Sequence, residues 1–139
     1  MSQSTINNLI QRAQILRQRN HTQALALLDE ALSLASKENM HSTIASIIRE
    51  KANSHLLYKN YKQALSGYSE ALLFYKNQQD LCGQLNCLQD ISNIYKKLSD
   101  VPSALGYTLE ALKLNTEAGD SEGIAQNFNE IGKLYIYLK

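Results

Sequence analysis

Apolar residues along this chain fall at intervals of three and four, and each run of them ends in a short polar stretch. Ile44, Ile47, Ile48, Ala52, His55 and Leu56 mark one face of a helix. Lys59-Asn60 breaks the pattern, Asn being a favoured turn or capping residue. Tyr61, Ala64, Leu65, Tyr68, Ala71, Leu72 and Tyr75 then mark a second helix, and Asn77–Asp80 reads as the next turn. The predicted unit is a helical hairpin with about 15 residues in each arm.

The same unit recurs. Leu85, Leu88, Ile91, Ser92, Ile94 and Tyr95 form a first arm, and Ser99-Asp100 forms a turn in which either residue suits an N-cap. Pro102 falls in the first turn of the following helix, where a missing N–H does no harm. Ala104, Leu105, Leu109, Ala111, Leu112 and Leu114 form the second arm, and Gly119 with Asp120 or Ser121 closes the unit. The alanines of the second arms stand at 24 and 31, 64 and 71, 104 and 111, a period of 40 residues. Periods of about 20–50 residues mark stacked helical repeats, in which each unit buries its apolar face on its neighbours.

The first repeat departs from the pattern. Its second arm (Ala24, Leu25, Leu28, Ala31, Leu32) is in register, but Ile6, Leu9, Ile10, Ala13 and Leu16 lie one residue late. This predicts a turn one residue shorter at Arg19-Asn20. Asn7, Asn8, Gln11 and Arg12 give that helix the polar outer side of a terminal cap. The chain ends in a lone first arm, with Ile124, Ala125, Phe128, Ile131, Gly132, Leu134 and Tyr135 on one side. Ile136, Tyr137 and Leu138 add apolar surface on another azimuth, which predicts a longer protein whose repeats or effector domain continue, or else a terminal helix whose extra apolar residues pack locally or in a dimer. The expected fold is all-α, a right-handed α-solenoid of antiparallel helical hairpins. Its single array has repeats at about 4–38, 41–78 and 81–118 and a half-repeat at 121–139.

Composition removes several function classes. Fourteen basic and 13 acidic residues give a net charge of +1, which argues against nucleic acid, where clustered Lys and Arg must neutralise phosphates, and against a polybasic membrane anchor. No apolar run approaches the roughly 20 residues that cross a bilayer, and Met1–Asn8 lacks the form of a secretory signal. A cytoplasmic location is expected. Cys82 and Cys87, five apart, are read as buried thiols packed like small apolar residues. His21, His41 and His55 are scattered in sequence and predict no metal site. Nothing forms a nucleophile–base motif or a glycine-rich phosphate loop, so neither catalysis nor a cofactor is expected. The eight tyrosines fall at helical spacing and are read as inter-helix packing, and Glu30, Glu70 and Glu110 as a surface ladder.

The hairpins resemble tetratricopeptide repeats. The resemblance rests on the pairs Ala52/His55, Ser92/Tyr95 and Gly132/Tyr135 on first arms, and on Tyr61, Ala64, Tyr68, Ala71, Ala104, Ala111, Ala24 and Ala31 on second arms. The period of 40 exceeds the family's usual length of about 34. With phrases such as Asn127–Tyr135, it is similar to the long-period repeats of bacterial signalling proteins, where such arrays often precede nucleotide cyclase, histidine kinase or transcription-regulator domains. The resemblance implies a concave groove lined by first arms and holding peptides. In this register the lining would be Asn7, Ile10, Gln14 and Arg17; Ser46, Arg49, Asn53 and Leu56; Asn86, Gln89, Asn93, Lys96 and Lys97; and Gln126, Asn129, Lys133 and Ile136, with Glu50, Asp90 and Glu130 at its edge.

Amide side chains offer donors and acceptors to a peptide main chain, and fixed cations suit a carboxylate. The expected function is therefore a non-catalytic interaction module that binds a protein or peptide partner, acidic in character. The residues expected to carry it are Arg17, Arg49, Asn53, Gln89, Asn93, Lys96, Lys97, Asn129 and Lys133. The alternative is the N-terminal regulatory part of a multidomain signalling enzyme, forming a homodimer through Ile136, Tyr137 and Leu138.

Overall fold

The computed structural model describes residues 2–138. These form α1 (Ser2–Leu16), α2 (His21–Lys37), α3 (His41–Leu57), α4 (Tyr61–Asn77), α5 (Leu81–Lys97), α6 (Val101–Ala118) and α7 (Ser121–Tyr137), with no strand among the described residues. The fold is all-α, a solenoid-like repeat of helical hairpins.

The period of 40 is two steps of 20. N-caps fall at Asn20, Met40, Asn60, Asp80, Asp100 and Asp120. Left-handed residues fall at Asn39, Lys59, Gln79, Ser99 and Gly119, one before each N-cap after the first. Helix ends explain this spacing, because a left-handed residue just past a helix turns the chain back so that its next N–H groups reach the orphan carbonyls. Thus Asn60 N–H donates to His55 O and Lys59 N–H to Leu56 O, and the same pair of bonds recurs at 39–40, 99–100 and 119–120. Four of the six helix starts carry a side-chain cap. Asn20 accepts from Gln23 N–H, Asp80 from Gly83, Asp100 from Ser103 and Asp120 from Gly123. Asn60 occupies the N-cap of α4 but makes no such side-chain bond.

The first turn is the short one. Seven residues lead from Ala13 to the N-cap Asn20, against eight from Ala52 to Asn60 and from Ser92 to Asp100. What is missing is the left-handed residue. Asn20 N–H returns instead to Leu16 O, a simple helical bond at 2.7 Å.

The chain divides into two compact units, 1–79 and 80–139. In the first, α1 packs on α2, α2 on α3 and α3 on α4. Their inner faces are Ile6, Leu9 and Ala13; Ala24, Leu28, Ala31 and Ala35; Ile44, Ala45, Ile47, Ile48 and Ala52; and Ala64, Tyr68, Ala71, Leu72 and Tyr75. In the second, α6 packs between α5 and α7. Cys87, Leu88, Ile91 and Ile94 of α5 are buried with Ala104 and Ala111 of α6 and Leu134 of α7, alongside polar Ser92, Thr108 and Asn115.

Some positions read as core are not. Leu109 of α6, and Phe128 and Tyr135 of α7, are exposed. Ala125 and Gly132 stand open beside the last two. Cys82 is exposed, at the second residue of α5, and only Cys87 packs inside.

Candidate functional site

The polar positions of the second unit enclose a pocket. In the second repeat, second-arm positions 68 and 75 hold buried tyrosines. The Tyr68 hydroxyl donates to Asn53 Oδ1, and the Tyr75 hydroxyl lies 3.4 Å from Ser46 Oγ. One period later these positions are Thr108 and Asn115, while Asn53 and Ser46 become Asn93 and Asn86. Two rings are thus exchanged for two short polar side chains. Where they would lie is a hollow of about 320 Å³ bordered by α5, α6 and α7.

Its floor is Ser92, Thr108, Ala111 and Asn115, and its rim includes Asn86, Gln89, Asn93, Gln126, Asn127, Asp120 and Glu130. The Ser92 and Thr108 hydroxyls lie 3.0 and 2.9 Å from Ala104 O and 3.0 Å from each other, so their protons are shared among these three oxygens. Asn115 Nδ2 donates to Asn127 Oδ1 at 2.6 Å. Asn115 Oδ1 is buried and has no hydrogen-bond partner.

Of the residues assigned from sequence, Asn86, Gln89, Asn93 and Gln126 open on this pocket. Lys96 and Lys133 border a second hollow, of about 330 Å³, with Glu130, Leu134, Ile136 and Tyr137. Lys97 and Asn129 are exposed and line neither. In the first unit Asn53 is not a free ligand for a peptide, because its oxygen serves the core hydroxyl of Tyr68. Arg49 is half-buried on α3.

The charge of the predicted lining is largely internal. Arg17 Nη1 lies 3.3 Å from Glu50, and Lys96 Nζ lies 2.8 Å from Glu130. With the one-residue shift of the first arm these are the same repeat position, a first-arm cation answering the carboxylate of the next first arm. Lys133 adds a longer contact to Glu130 at 3.7 Å. The Lys96 hydrogen bond holds the Glu130 carboxyl below its usual range, against an opposing contribution from burial. Arg17 and Lys96 thus each already answer a carboxylate of the chain itself.

The histidines are not all scattered in space. His21 and His55 meet edge to face with ring centres 5.4 Å apart, and Tyr58 lies 4.3 Å from His21 while its hydroxyl donates to Arg17 O. Both Nδ1 atoms are buried without a hydrogen-bond partner. Among the described residues no group of three or more metal-ligating side chains forms. Burial first, then His21 and the Lys51 ammonium, push the His55 imidazole below its ordinary value, with Asp29 opposing. The folded protein therefore takes up this proton at lower pH than the unfolded chain. Stability should be complete above the unfolded value of about 6.5, fall as the pH drops below it, and level off beneath the folded value. Urea midpoints measured from pH 8 to pH 5 should show that fall, and His55→Gln should flatten it. An unchanged slope in the variant would assign the acid sensitivity elsewhere.

Sequence reasoning missed Asn115, Thr108 and Asn127. Attention to first arms hid them, yet the signal was present: Asn115 stands one period after Tyr75 and two after Ala35, and Thr108 after Tyr68 and Leu28, positions otherwise buried and filled. No helix among the described residues is long and apolar enough to cross a membrane.

No protein-family model matches the chain, and no curated protein matches it. Among solved structures it is similar to BtubC (BKLC) from P. vanneervenii, with 20% sequence identity and a TM-score of 0.76 over 94% of this chain and 56% of that one. The chain thus spans little more than half the length of that neighbour. Likeness at this identity shows the fold and nothing of what either protein binds.

Proposed function

We propose that this chain is a non-catalytic protein–protein interaction module of the tetratricopeptide type, which anchors a peptide segment of a cytoplasmic partner in the pocket of the second unit. The observation that carries the reading is the exchange of Tyr68 and Tyr75 in one repeat for Thr108 and Asn115 in the next. Proteins fill their interiors to high density, so a repeat that replaces two packed rings with short polar side chains and leaves about 320 Å³ open has given up packing for access. The amides on the rim suit a peptide main chain, with donors and acceptors on each side chain.

The second repeat also supplies the test. Thr108→Tyr should refill the pocket, with the new hydroxyl facing Asn93 as that of Tyr68 faces Asn53. Thermal stability should hold, while peptides selected from a random display library on the unaltered chain should lose at least tenfold in affinity. Undiminished binding would move the site out of this pocket.

A second reading, self-association as part of a regulatory array, is favoured by one feature, the exposed apolar face of α7.

A further inference from the structure

The floor of the pocket states what it lacks. Asn115 is 5% exposed, borders the cavity, and keeps an oxygen with no donor in reach. Its neighbours do not help, because the hydroxyl protons of Ser92 and Thr108 are engaged with the Ala104 carbonyl and with each other. Gly123 is pressed against the same amide. A Cβ there would lie 2.7 Å from Asn115 Oδ1, and the bond to Asn127 holds the amide from the other end. Asn115 is thus fixed in place and cannot turn away to find water or backbone. A buried acceptor left unpaired is costly, and a ligand that pairs it recovers that cost.

We infer that the pocket receives a primary carboxamide, the side chain of a glutamine or asparagine, which donates an N–H to Asn115 Oδ1 and accepts through its own oxygen from amides of the rim. This rests on the proposed reading of the pocket as a peptide anchor and names the residue that does the anchoring. A carboxylate has no proton to give Asn115 and would enter past Asp120 and Glu130. An ammonium could donate to Asn115 and to the rim carbonyls, but Glu130 is already answered by Lys96 and Asp120 by Gly123 N–H, and it offers the rim N–H groups no acceptor. Sites built to pair a particular hydrogen-bonding group reject analogues that lack it far more strongly than they reject changes in apolar size.

The test is titration of the isotope-labelled full chain with N-acetylglutamine methylamide, followed by nuclear magnetic resonance at the side-chain amides. The signals of Asn115 and Asn127 should shift and saturate, while N-acetylglutamate methylamide and N-acetyllysine methylamide bind at least tenfold more weakly. Asn115→Leu, close in volume, should abolish the preference for the glutamine probe. Equal or tighter binding of the glutamate or lysine probe would overturn the inference, as would no response of Asn115 to glutamine. The titration reads the pocket directly, so this result stands apart from peptide selection. Selected peptides that lose affinity on Thr108→Tyr but show no enrichment in glutamine or asparagine would sink the carboxamide and leave the interaction module intact.

Discussion

Gly67→Ala should destabilise the chain by about 1–2 kcal/mol, while the same exchange at Gly106 should stabilise it by about 0.5–1 kcal/mol. Both glycines lie inside helices, where alanine is favoured by about 0.5–1 kcal/mol through backbone entropy alone. Only the surroundings differ. A Cβ on Gly67 would meet Ala52 Cβ at 2.9 Å and Ala52 Cα at 3.5 Å, and Ala52 is fully buried on α3. A Cβ on Gly106 would have no described atom within 4 Å. Overpacking a fixed contact costs about 1–3 kcal/mol, which outweighs the helix gain at the first site and has no counterpart at the second.

Urea unfolding of the two variants checks the sign, and Ala52→Gly added to Gly67→Ala should recover most of the loss. A coupling of about 1 kcal/mol or more in that cycle would confirm that the two residues meet. Gly67→Ala as stable as the parent would mean that the α3–α4 hairpin opens freely, and the close crossing would not matter. The third repeat avoids the crossing, since Tyr107 and Tyr95 stand where Gly67 and His55 stand and stack with ring centres 5.6 Å apart.

Elements were legible because period carries them. Ala24, Ala64 and Ala104, with Ala31, Ala71 and Ala111, fix the second arms, and all six are buried. The short first turn was legible as a slipped register. The step of 20 was not, because Asn39, Lys59, Gln79 and Ser99 do not announce a left-handed turn as Gly119 does. Bulky or charged residues take that conformation only where helix-end bonds compensate, and those bonds are invisible in a single sequence. The ion pairs show the same limit. Lys96 and Glu130 both read as groove residues, yet whether they meet depends on how one first arm leans on the next, and they do meet. The pocket was half legible. Its rim came from the polar face of the first arms, but its floor lies in second-arm positions whose meaning appears only when Thr108 and Asn115 are set against Tyr68 and Tyr75.

At high concentration the chain should form a weak dimer in sedimentation, and Phe128→Glu with Tyr135→Glu should make it monomeric. Ala125, Phe128, Gly132 and Tyr135 repeat the face that Ala45, Ile48, Ala52 and His55 present on α3, where α4 packs. On α7 that face is bare: Phe128 is 59% and Tyr135 54% exposed, and no described atom lies within 4 Å of a Cβ built on Gly132. Ile136, Tyr137 and Leu138, expected from sequence to carry self-association, extend the apolar surface and are exposed as well. A second copy can cover both faces at once by a twofold axis, the commonest arrangement for identical chains. Burying one large apolar side chain stabilises by about 1.5–3 kcal/mol when complete. With each aromatic already about half covered, the two copies together gain roughly 4 kcal/mol from Phe128 and Tyr135, and the flanking residues add to this. Association itself costs at least about 4 kcal/mol, so the two aromatics alone only break even, and a weak dimer rests on what the flanking residues add. Two buried glutamates per copy would reverse that balance outright. A chain that sediments strictly as a monomer near millimolar concentration would show that this face is left to water, and the second reading of the protein would go with it.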